Sequence, residues 1–493
     1  MALVKKVAVA NRGEIAQRII STCHEMGLKT VLLYASGDTY NSAYRLADER
    51  ICIGPADPLQ SYLNISANIE GAKSAGASAI HPGYGFLSEN PVFAKACEDN
   101  KIIFIGPSSH SISLFGNKIK AKEIAQKAGV PVLPSWQGDF SQRAQLIESA
   151  EKIGYPLMIK ASCGGGGRGL RLAHNSEELT QLLPLVRQEA KQSFNSEEVF
   201  LEKYLESAKH IEAQIFISAD KEIFILGDRD CSPQRRHQKI IESAPSCLPQ
   251  KLKDQLQSAC YELCSLLDYQ GAGTVEFLVQ GNQFYFLEMN TRLQVEHTVT
   301  EMIYGIDLVK AQILTAMGQP AFFTDRKMTA RGYSIQCRVC AEDPHQNFLP
   351  SIGPLLSCAW PLGKNIRVDT AYHSGDQISS FYDSLISKVI VWEDTRTRAI
   401  EKMNQALKQT ILFGVLTNIP FLSFLLSHKD FIEDQIKINS LEKIHSKDWK
   451  RSDLPLPPEF LKELFEELNC SSFSAKKDIS FNPWSYFLNP PEK

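Results

Sequence analysis

The ten residues Glu288-Met289-Asn290-Thr291-Arg292-Leu293-Gln294-Val295-Glu296-His297 follow the apolar run Phe284-Tyr285-Phe286-Leu287. From Glu288 to Glu296 every even position is charged or carries an amide, and three of the four odd positions between them are apolar. Because side chains on a strand alternate between faces, one face carries two carboxylates, two amides and a guanidinium as far as the chain stays extended. Hard oxygen ligands beside a fixed positive charge suit a magnesium–phosphate site. A polar outer strand of an antiparallel sheet explains the segment equally well, so the rest of the chain must decide.

Length and composition bound the class of protein. The chain has 493 residues, which corresponds to about three domains, and its 43% hydrophobic and 22% charged residues are ordinary for a globular protein with sizeable cores. The net charge of −3 argues against a molecule-wide surface for nucleic acid or anionic membranes. No apolar run approaches the roughly 18 residues that span a bilayer, and Arg12 and Glu14 follow the N-terminus too closely for a signal peptide. We therefore expect a cytoplasmic protein that binds neither nucleic acid nor membranes.

The twelve cysteines are scattered along the chain, which predicts buried, reduced thiols. Cys337 and Cys340 have zinc-ligand spacing, but positions i and i+3 of an alternating strand face opposite ways. No second pair has comparable spacing, so we expect no zinc site.

Residues 1–113 predict a parallel α/β domain. Short apolar runs at residues 7–10, 30–34 and 102–105 alternate with helix-length stretches. The first turn reads Asn11-Arg12-Gly13-Glu14-Ile15-Ala16 rather than GxGxxG, so no dinucleotide site is expected there. The glycines of residues 81–85 either make a tight turn or let a ligand approach the backbone.

Residues 114–330 contain two candidate anion sites. The strand at residues 155–160 ends in Lys160 and runs into a loop with four consecutive glycines, including Gly166 and Gly167. The bare N–H groups of such a loop can wrap a phosphate, although a flexible surface hairpin would look similar and the GK[ST] ending of a P-loop is missing. The basic residues 234–239 lack interleaved aromatic residues, which favours a small anion over nucleic acid.

Residues 271–278 and 284–290 predict a β-hairpin. If its loop has three residues, 281–283, Glu276 lies directly opposite Glu288 and the two carboxylates share a face. A two-residue loop would place them on opposite faces. A shared divalent cation therefore requires the three-residue loop.

The C-terminal part divides into an α+β domain at residues 331–449 and an extra tail at residues 450–493. An alternating strand places Ser334, Gln336 and Arg338 on one face. Residues 396–411 are helix-like. The proline-rich residues 454–458 predict a linker before a short helical stripe in the tail.

Six features together resemble the biotin carboxylase component of bacterial acetyl-CoA carboxylase. They are residues 11–15, 81–90, 160–169, 235–239 and 288–299, and Arg338. The likeness covers roughly residues 3–445 in order. It implies the ATP-grasp fold, of mixed α/β and α+β class, in which two lobes grip ATP. The ATP-grasp domain would span residues 114–330, with a mobile lid at about 132–203, between the N-terminal parallel α/β domain and the C-terminal α+β domain.

The resemblance also implies roles for matched positions. The expected ATP contacts are Lys118, Lys160, Gly166, Gly167, Glu202, Lys203, Leu205, His210, Gln234, His237, Glu276 and Glu288. The expected ligands of Mg²⁺ or Mn²⁺ are Glu276, Glu288 and Asn290. Bicarbonate would be held by Lys239, Arg292, Gln294 and the backbone of Val295. Glu296 would be the general base, with a pKa that its neighbours hold near the working pH. Arg338 would hold biotin, with Asp383 as a candidate to orient it, and the catalytic set would be Lys239, Arg292, Glu296 and Arg338.

The activity that the resemblance implies is ATP- and bicarbonate-dependent carboxylation of biotin through carboxyphosphate, the first half-reaction of acetyl-CoA carboxylase in fatty-acid synthesis. The sequence has no Met-Lys-Met biotin-attachment segment and no recognisable transferase region. Biotin is therefore expected on a separate biotin carboxyl carrier protein, with carboxyltransferase subunits as partners and a homodimer as the usual assembly of the family. The alternatives are another ATP-grasp ligase, of the carbamoyl-phosphate-forming or purine-carboxylating type, and a non-catalytic ATP-binding scaffold.

Four positions depart from the family pattern. Cys163 replaces the first loop glycine, Ser243 replaces a glutamate, Thr298 replaces a proline and Gln336 replaces a glutamate. Because Gln336 lies two residues from Arg338, we expect it to alter how that arginine is held.

Overall fold

A computed structural model describes residues 4–140, 142–162, 170–194, 196–321, 323 and 328–449. The predicted glycine loop, with Cys163, Gly166 and Gly167, lies outside the described residues, and so does the tail with its predicted helix. Within the described part, no helix is both long and apolar enough to cross a membrane.

The N-terminal part is built on a five-stranded parallel sheet, in the order β3-β2-β1-β4-β5, which confirms the predicted parallel α/β unit. Its elements are β1 (Lys6–Val9), α1 (Gly13–Glu25), β2 (Lys29–Ala35), α2 (Ser42–Leu46), β3 (Glu49–Gly54), a 3₁₀ turn (Pro58–Gln60), α3 (Ile65–Ser74), β4 (Ala79–His81), α4 (Pro91–Asp99), β5 (Ile103–Phe104) and α5 (Ser109–Gly116). Val7 and Val9 join one core, whereas Ala8 joins another on the opposite face. Both faces of the sheet are therefore covered, as parallel sheets require.

The middle part contains two antiparallel arrangements. Its elements are α6 (Lys118–Lys127), β6 (Ser135–Trp136), α7 (Arg143–Ile153), β7 (Leu157–Ala161), β8 (Leu170–Ala173), α8 (Ser176–Phe194), β9 (Val199–Lys203), β10 (Lys209–Ile217), β11 (Ile223–Asp230), β12 (Gln234–Arg235), β13 (Gln238–Lys239), β14 (Ile241–Ala244), α9 (Gln250–Ser265), β15 (Gly271–Gln280), β16 (Gln283–Asn290), α10 (His297–Tyr304) and α11 (Leu308–Ala316). The four strands β6-β9-β7-β8 form a small sheet that shares its own apolar core with α7 and α8. This lobe lies within the residues predicted to form the lid.

The C-terminal part adds three strands to the large sheet of the middle part. Its elements are β17 (Tyr333–Cys340), β18 (Glu342–Asp343), a 3₁₀ turn (Pro344–Gln346), β19 (Leu349–Pro350), β20 (Gly353–Pro354), β21 (Ser357–Ala359), β22 (Ile366–Thr370), β23 (Gln377–Ile378), β24 (Leu385–Glu393), α12 (Arg396–Gln409), β25 (Ile411–Phe413), α13 (Ile419–Ser427), α14 (Lys429–Ile432) and α15 (Ser440–Lys447). The resulting eight-stranded antiparallel sheet has the order β16-β15-β10-β11-β14-β17-β24-β22. Pairing of β14 with β17 therefore carries one sheet across residue 330.

The hairpin β15–β16 differs from the prediction in its loop but not in its pairing of carboxylates. Gln280 pairs with Gln283, so the turn has two residues. The prediction that a face shared by the two carboxylates requires a three-residue loop is therefore wrong. A register shift between Glu276 and Phe277 inserts an extra residue into β16, and Glu276 nevertheless pairs with Glu288. The β-bulge returns both carboxylates to one face, which the two-residue turn alone would have prevented.

Candidate active site

The ammonium of Lys239 is the centre of a buried charge cluster on the large sheet. Its Nζ lies 2.5 Å from Glu212, 2.9 Å from Glu276 and 2.6 Å from Glu296. Glu212 and Glu276 are directly paired residues of β10 and β15, and Lys239 is on the short strand β13. One cation thus holds three carboxylates from three segments of the chain.

Burial and charge act against each other in this cluster. Burial lowers the pKa of Lys239, but the three carboxylates outweigh it and hold that pKa well above its ordinary value. Burial raises the pKa of Glu276, whereas Lys239 and His210 bring it well below the ordinary value. Both groups therefore stay ionised, because each charged form is paired inside the protein.

The carboxylate of Glu296 is fully buried and paired with a second cation. Its Oε2 lies 3.0 Å from Nη2 of Arg338, and Nε of Arg338 lies 2.5 Å from Glu242. Burial raises the pKa of Glu296, but Lys239 and Arg338 hold it below the ordinary glutamate value. The expectation of a pKa near the working pH is therefore wrong for this arrangement of the site, in which Glu296 is a weak base.

Two of the unusual residues support the Arg338–Glu242 pair. Gln336 donates from Nε2 to Glu242 over 2.9 Å, and the hydroxyl of Thr298 donates to the side-chain oxygen of Gln336. The odd residues of β17 pack in the C-terminal core, so its even residues face this network, as the alternation predicts. Gln336 therefore does bear on how Arg338 is held.

The loop between β16 and α10 carries the other candidate anion groups. Strand β16 ends at Asn290, so the alternating face predicted from residue 288 stops there. Arg292 donates from Nε to Glu89 over 2.8 Å and from Nη2 to Asn290 over 3.2 Å. Gln294 turns back and donates to Glu276 over 2.9 Å. The structure thus brings Arg292 and Gln294 to the Lys239 cluster.

The three predicted metal ligands offer a donor set that fits a hard divalent cation. Glu276 and Glu288 face each other, and the amide of Asn290 lies 3.0 Å from Glu276 Oε1. The charge of Glu288 is met by Lys118 and that of Glu276 by Lys239. Two carboxylates and an amide oxygen are ligands that Mg²⁺ prefers.

His210 and Gln234 flank the same cluster. His210 Nε2 lies 3.0 Å from Glu276, and its Nδ1 lies 2.7 Å from the amide of Gln234. Among the described residues, His210, Glu212 and Glu276 also offer ligand atoms within 4.8 Å of one another. Because Arg229 and Lys239 already neutralise Glu212, this trio is less suited to a cation than the carboxylates of the hairpin.

The small lobe supplies the remaining nucleotide candidates. Lys160 and Lys122 both contact the buried carboxylate of Glu202. Lys203 donates to the carbonyls of Gly154 and Tyr155, which occupies its ammonium. Leu205 packs against an apolar cluster formed by Leu133, Ala208 and Leu278. Of these residues, Leu205 lies three positions after Glu202, and an apolar cluster is the kind of surface on which a flat ligand packs.

His237 and Asp383 are two predicted site residues that do not take part in the ion pairs described above. His237 sits at a positive φ of 65°, and burial lowers its pKa. Asp383 is exposed and accepts the backbone N–H of Leu385, while Arg338 contacts Glu242 and Glu296. The structure therefore does not bring Asp383 onto Arg338.

Sequence reasoning missed several carboxylates and one lysine that hold these groups. They are Glu89, Glu212, Glu242 and Lys388. For Glu212 a signal exists, because His210, Glu212 and Gln214 alternate along β10 as Glu288 and Asn290 do along β16. Glu242 becomes recognisable only from the register of β14 against β17, which pairs it with Gln336.

The fold and the site define a class of protein: an ATP-grasp ligase. It has a cluster of lysines and carboxylates on the large sheet and a smaller lobe built on β6-β9-β7-β8. Residues 117–321 match the family described as carbamoyl-phosphate synthase L chain, ATP binding domain. Residues 3–112 match the biotin carboxylase N-terminal domain, and residues 336–443 match the biotin carboxylase C-terminal domain.

Relatives and solved structures agree with these matches. The chain is 45% identical over 443 residues to biotin carboxylase of Haemophilus influenzae, covering 90% of this chain and 99% of that protein. It is 40% identical over 492 residues to the mitochondrial methylcrotonoyl-CoA carboxylase subunit alpha of Rattus norvegicus, covering 98% of this chain and 69% of that protein. A crystal structure of the biotin carboxylase domain dimer of Hydrogenobacter thermophilus 2-oxoglutarate carboxylase, with MgADP, ADP and bicarbonate, matches with a TM-score of 0.88 and 42% identity, covering 92% of this chain and all of that one. The chain belongs to the biotin carboxylase family and is an ATP-binding ligase.

Proposed function

We propose that this protein carboxylates biotin on a separate carrier protein, using ATP and bicarbonate through carboxyphosphate. The observation that carries the proposal is the position of Lys239, whose ammonium joins a candidate metal ligand, Glu276, to the candidate base, Glu296. Arg338 contacts the other carboxylate oxygen of Glu296, which supports its assignment as the cation for the ureido oxygen of biotin. The closeness of these groups supports one site at which phosphate, bicarbonate and biotin meet.

In the first step an oxygen of bicarbonate attacks the γ-phosphorus of ATP and ADP leaves. Lys239, Arg292 and Gln294 hold the bicarbonate, together with the N–H of Val295, and Glu296 accepts its proton. Lys118, Lys160, His210, Gln234 and His237 contact ATP, and Glu202, Lys203 and Leu205 frame the adenine. Glu276, Glu288 and Asn290 hold magnesium, whose charge offsets that of the phosphates when it is bound.

In the second step carboxyphosphate releases CO₂ and phosphate inside the closed site. The ureido nitrogen of biotin loses its proton to that phosphate and attacks the carbon of CO₂. The negative charge that develops on the ureido oxygen faces the guanidinium of Arg338, which is the kind of electrostatic stabilisation that a fixed cation supplies best in a buried site. The lobe at residues 132–203, acting as a lid, excludes water from the labile intermediate.

The experiment is ADP release measured with ATP, magnesium, bicarbonate and biotin, comparing the wild-type protein with Glu296→Ala. We expect the rate of ADP release to fall about 100-fold or more in the variant, since a positioned base contributes at that level. An unchanged rate would remove Glu296 as the base. Turnover with ammonia and without biotin would instead favour a carbamoyl-phosphate-type ligase, and no turnover with every substrate present would favour a scaffold.

The acyl acceptor and the assembly belong to the same proposal. We assign the protein to the first half-reaction of acetyl-CoA carboxylase, acting as a homodimer with a biotin carboxyl carrier protein and carboxyltransferase subunits in the cytoplasm. A second candidate is the carboxylation of methylcrotonoyl-CoA, because the match to the rat subunit extends over 98% of this chain, whereas that to the Haemophilus protein extends over 90%. The two candidates are distinguished by incubating the carboxylated carrier with each carboxyltransferase and its acyl-CoA and measuring which acyl-CoA is carboxylated.

A further inference from the structure

The backbone on either side of Val295 is fixed by side chains from outside its loop. The carbonyl of Gln294 accepts from Nδ1 of His297 over 2.7 Å. Because a trans peptide is planar, with its C=O and N–H opposed, fixing this carbonyl also fixes the N–H of Val295. The carbonyl of Val295 itself accepts from Nζ of Lys388 over 3.2 Å. Two successive peptide planes are therefore held.

Lys388 makes this contact from a fully buried position on β24. Its Nζ lies 3.0 Å from Glu14 of α1 and 3.6 Å from Asp369 of β22. A buried ammonium is costly unless it is paired and its donors are used. Here Glu14 pairs with its charge, Asp369 is shared with Arg367, and the carbonyl of Val295 accepts one of its hydrogen bonds.

The contact also joins three parts of the chain. Glu14 comes from the N-terminal part, Val295 from the middle part and Lys388 from the C-terminal part. Neither Glu14 nor Lys388 contacts the Lys239 cluster in the described structure, so neither has a role in the proposed chemistry itself. Lys388 contacts the loop that carries Arg292 and Gln294 through the carbonyl of Val295, and Glu14 contacts Lys388.

We propose that Lys388, with Glu14 as its counterion, is a positioning residue that holds the backbone of Val295 for bicarbonate. The inference rests on the proposed assignment of bicarbonate to Arg292, Gln294 and Val295. Its consequence is selective: loss of Lys388 weakens the bicarbonate site and leaves the ATP site, on other strands, unchanged.

The test uses the double variant Lys388→Met/Glu14→Gln in the full-length protein. The double change is needed because Lys388→Met alone would leave Glu14 buried without its nearest cation. We expect the KM for bicarbonate to rise about tenfold, which corresponds to the loss of one hydrogen bond, while the KM for ATP stays within about twofold. The control Lys402→Met/Glu393→Gln removes a pair 2.6 Å apart, away from the loop, and should change neither KM.

The kinetic results are interpreted once thermal melting shows that the variants are folded. An unchanged KM for bicarbonate, or equal rises for bicarbonate and ATP, overturns the role of Lys388. Arg292→Ala is measured alongside. If it raises the KM for bicarbonate and the double variant does not, only the inference fails. If Arg292→Ala has no effect on that KM, the bicarbonate assignment fails, and the inference falls with the proposed function.

Discussion

The guanidinium of Arg338 lies 3.0 Å from the carboxylate of Glu296. The residue proposed to receive biotin is thus paired with the residue proposed to accept a proton. Arg338 and Lys239 together hold the pKa of Glu296 low against the effect of burial. A ligand that drew Arg338 away would raise the pKa of Glu296, since an opposite charge would be removed from a buried carboxylate.

Arg338→Gln should therefore shift the pH dependence of biotin-independent ADP formation. With one cation gone, the pKa of Glu296 rises, and the acid limb of the rate profile should move to higher pH by about one unit or more. The measurement is ADP release from about pH 4 to pH 9, a range that begins below the ordinary pKa of glutamate, with bicarbonate and without biotin. Arg396→Gln is the matched control, because Arg396 donates to the backbone carbonyls of Phe431 and Ile432. An acid limb that stays in place in Arg338→Gln would contradict the coupling.

Gln336→Glu should destabilise the protein, although the resemblance to the family led us to expect a glutamate at this position. The glutamine donates to Glu242 over 2.9 Å, whereas a glutamate would place a second carboxylate there. Losing a buried hydrogen bond to a charged group costs about 1–3 kcal/mol, and the free energy of unfolding in urea measures the loss.

The exposed change Gln435→Glu is the control for adding one negative charge, and it should leave the urea midpoint unchanged. A lower midpoint in Gln336→Glu should be accompanied by a higher KM for biotin, because Glu242 also holds Arg338. Equal stability of Gln336→Glu and wild type would show that the amide is not needed.

Periodicity was sufficient to predict the parallel N-terminal sheet and the polar face of β17, because both depend on local alternation. The pairing of Glu276 with Glu288 was also predicted, but with the wrong loop. The bulge in β16 that restores it depends on how β15 packs between β16 and β10, and no local pattern in residues 283–290 announces it.

The sequence was sufficient to single out site residues that lie in continuous motifs. It was not sufficient to identify the residues that pair with them. Arg292 and Arg338 could be singled out, but Glu89 and Glu242, which hold them, lie 203 and 96 residues away along the chain. Such ion pairs depend on strand order and on packing between distant segments. The low pKa of Glu296 was missed for the same reason, because it requires Lys239 and Arg338 to converge on one carboxylate.

His81 should make stability fall as the pH falls. Burial lowers the pKa of His81 to about 3, and its Nδ1 accepts the N–H of Gly83 over 3.0 Å. The unfolded chain takes up a proton below its ordinary pKa and the folded chain does not, so stability is lost as the pH falls below that value. From pH 7 to pH 5 the loss is about 2 kcal/mol.

His81→Asn keeps an acceptor near Nδ1 and removes the titrating ring. The difference between its free energies of urea unfolding at pH 7 and pH 5 should be smaller than that of the wild type by about 2 kcal/mol. His174→Asn, at an exposed position, is the matched control and should retain the wild-type difference. The same pH dependence in His81→Asn and wild type would exclude His81 as its source.

Glu288→Gln should raise the magnesium concentration that the reaction needs. Glu288 faces Glu276 across the hairpin and is the more exposed of the two, with 27% of its side chain accessible against 6%. Its replacement therefore removes an anionic ligand with less disturbance of the buried Lys239 cluster than a change at Glu276 would cause. A neutral amide is a weaker ligand for a hard cation than a carboxylate, so half-maximal ADP formation should require about tenfold more magnesium. Titration of magnesium at fixed ATP measures this, with Glu393→Gln as the control. The same half-maximal concentration in Glu288→Gln and wild type would exclude Glu288 from the metal site.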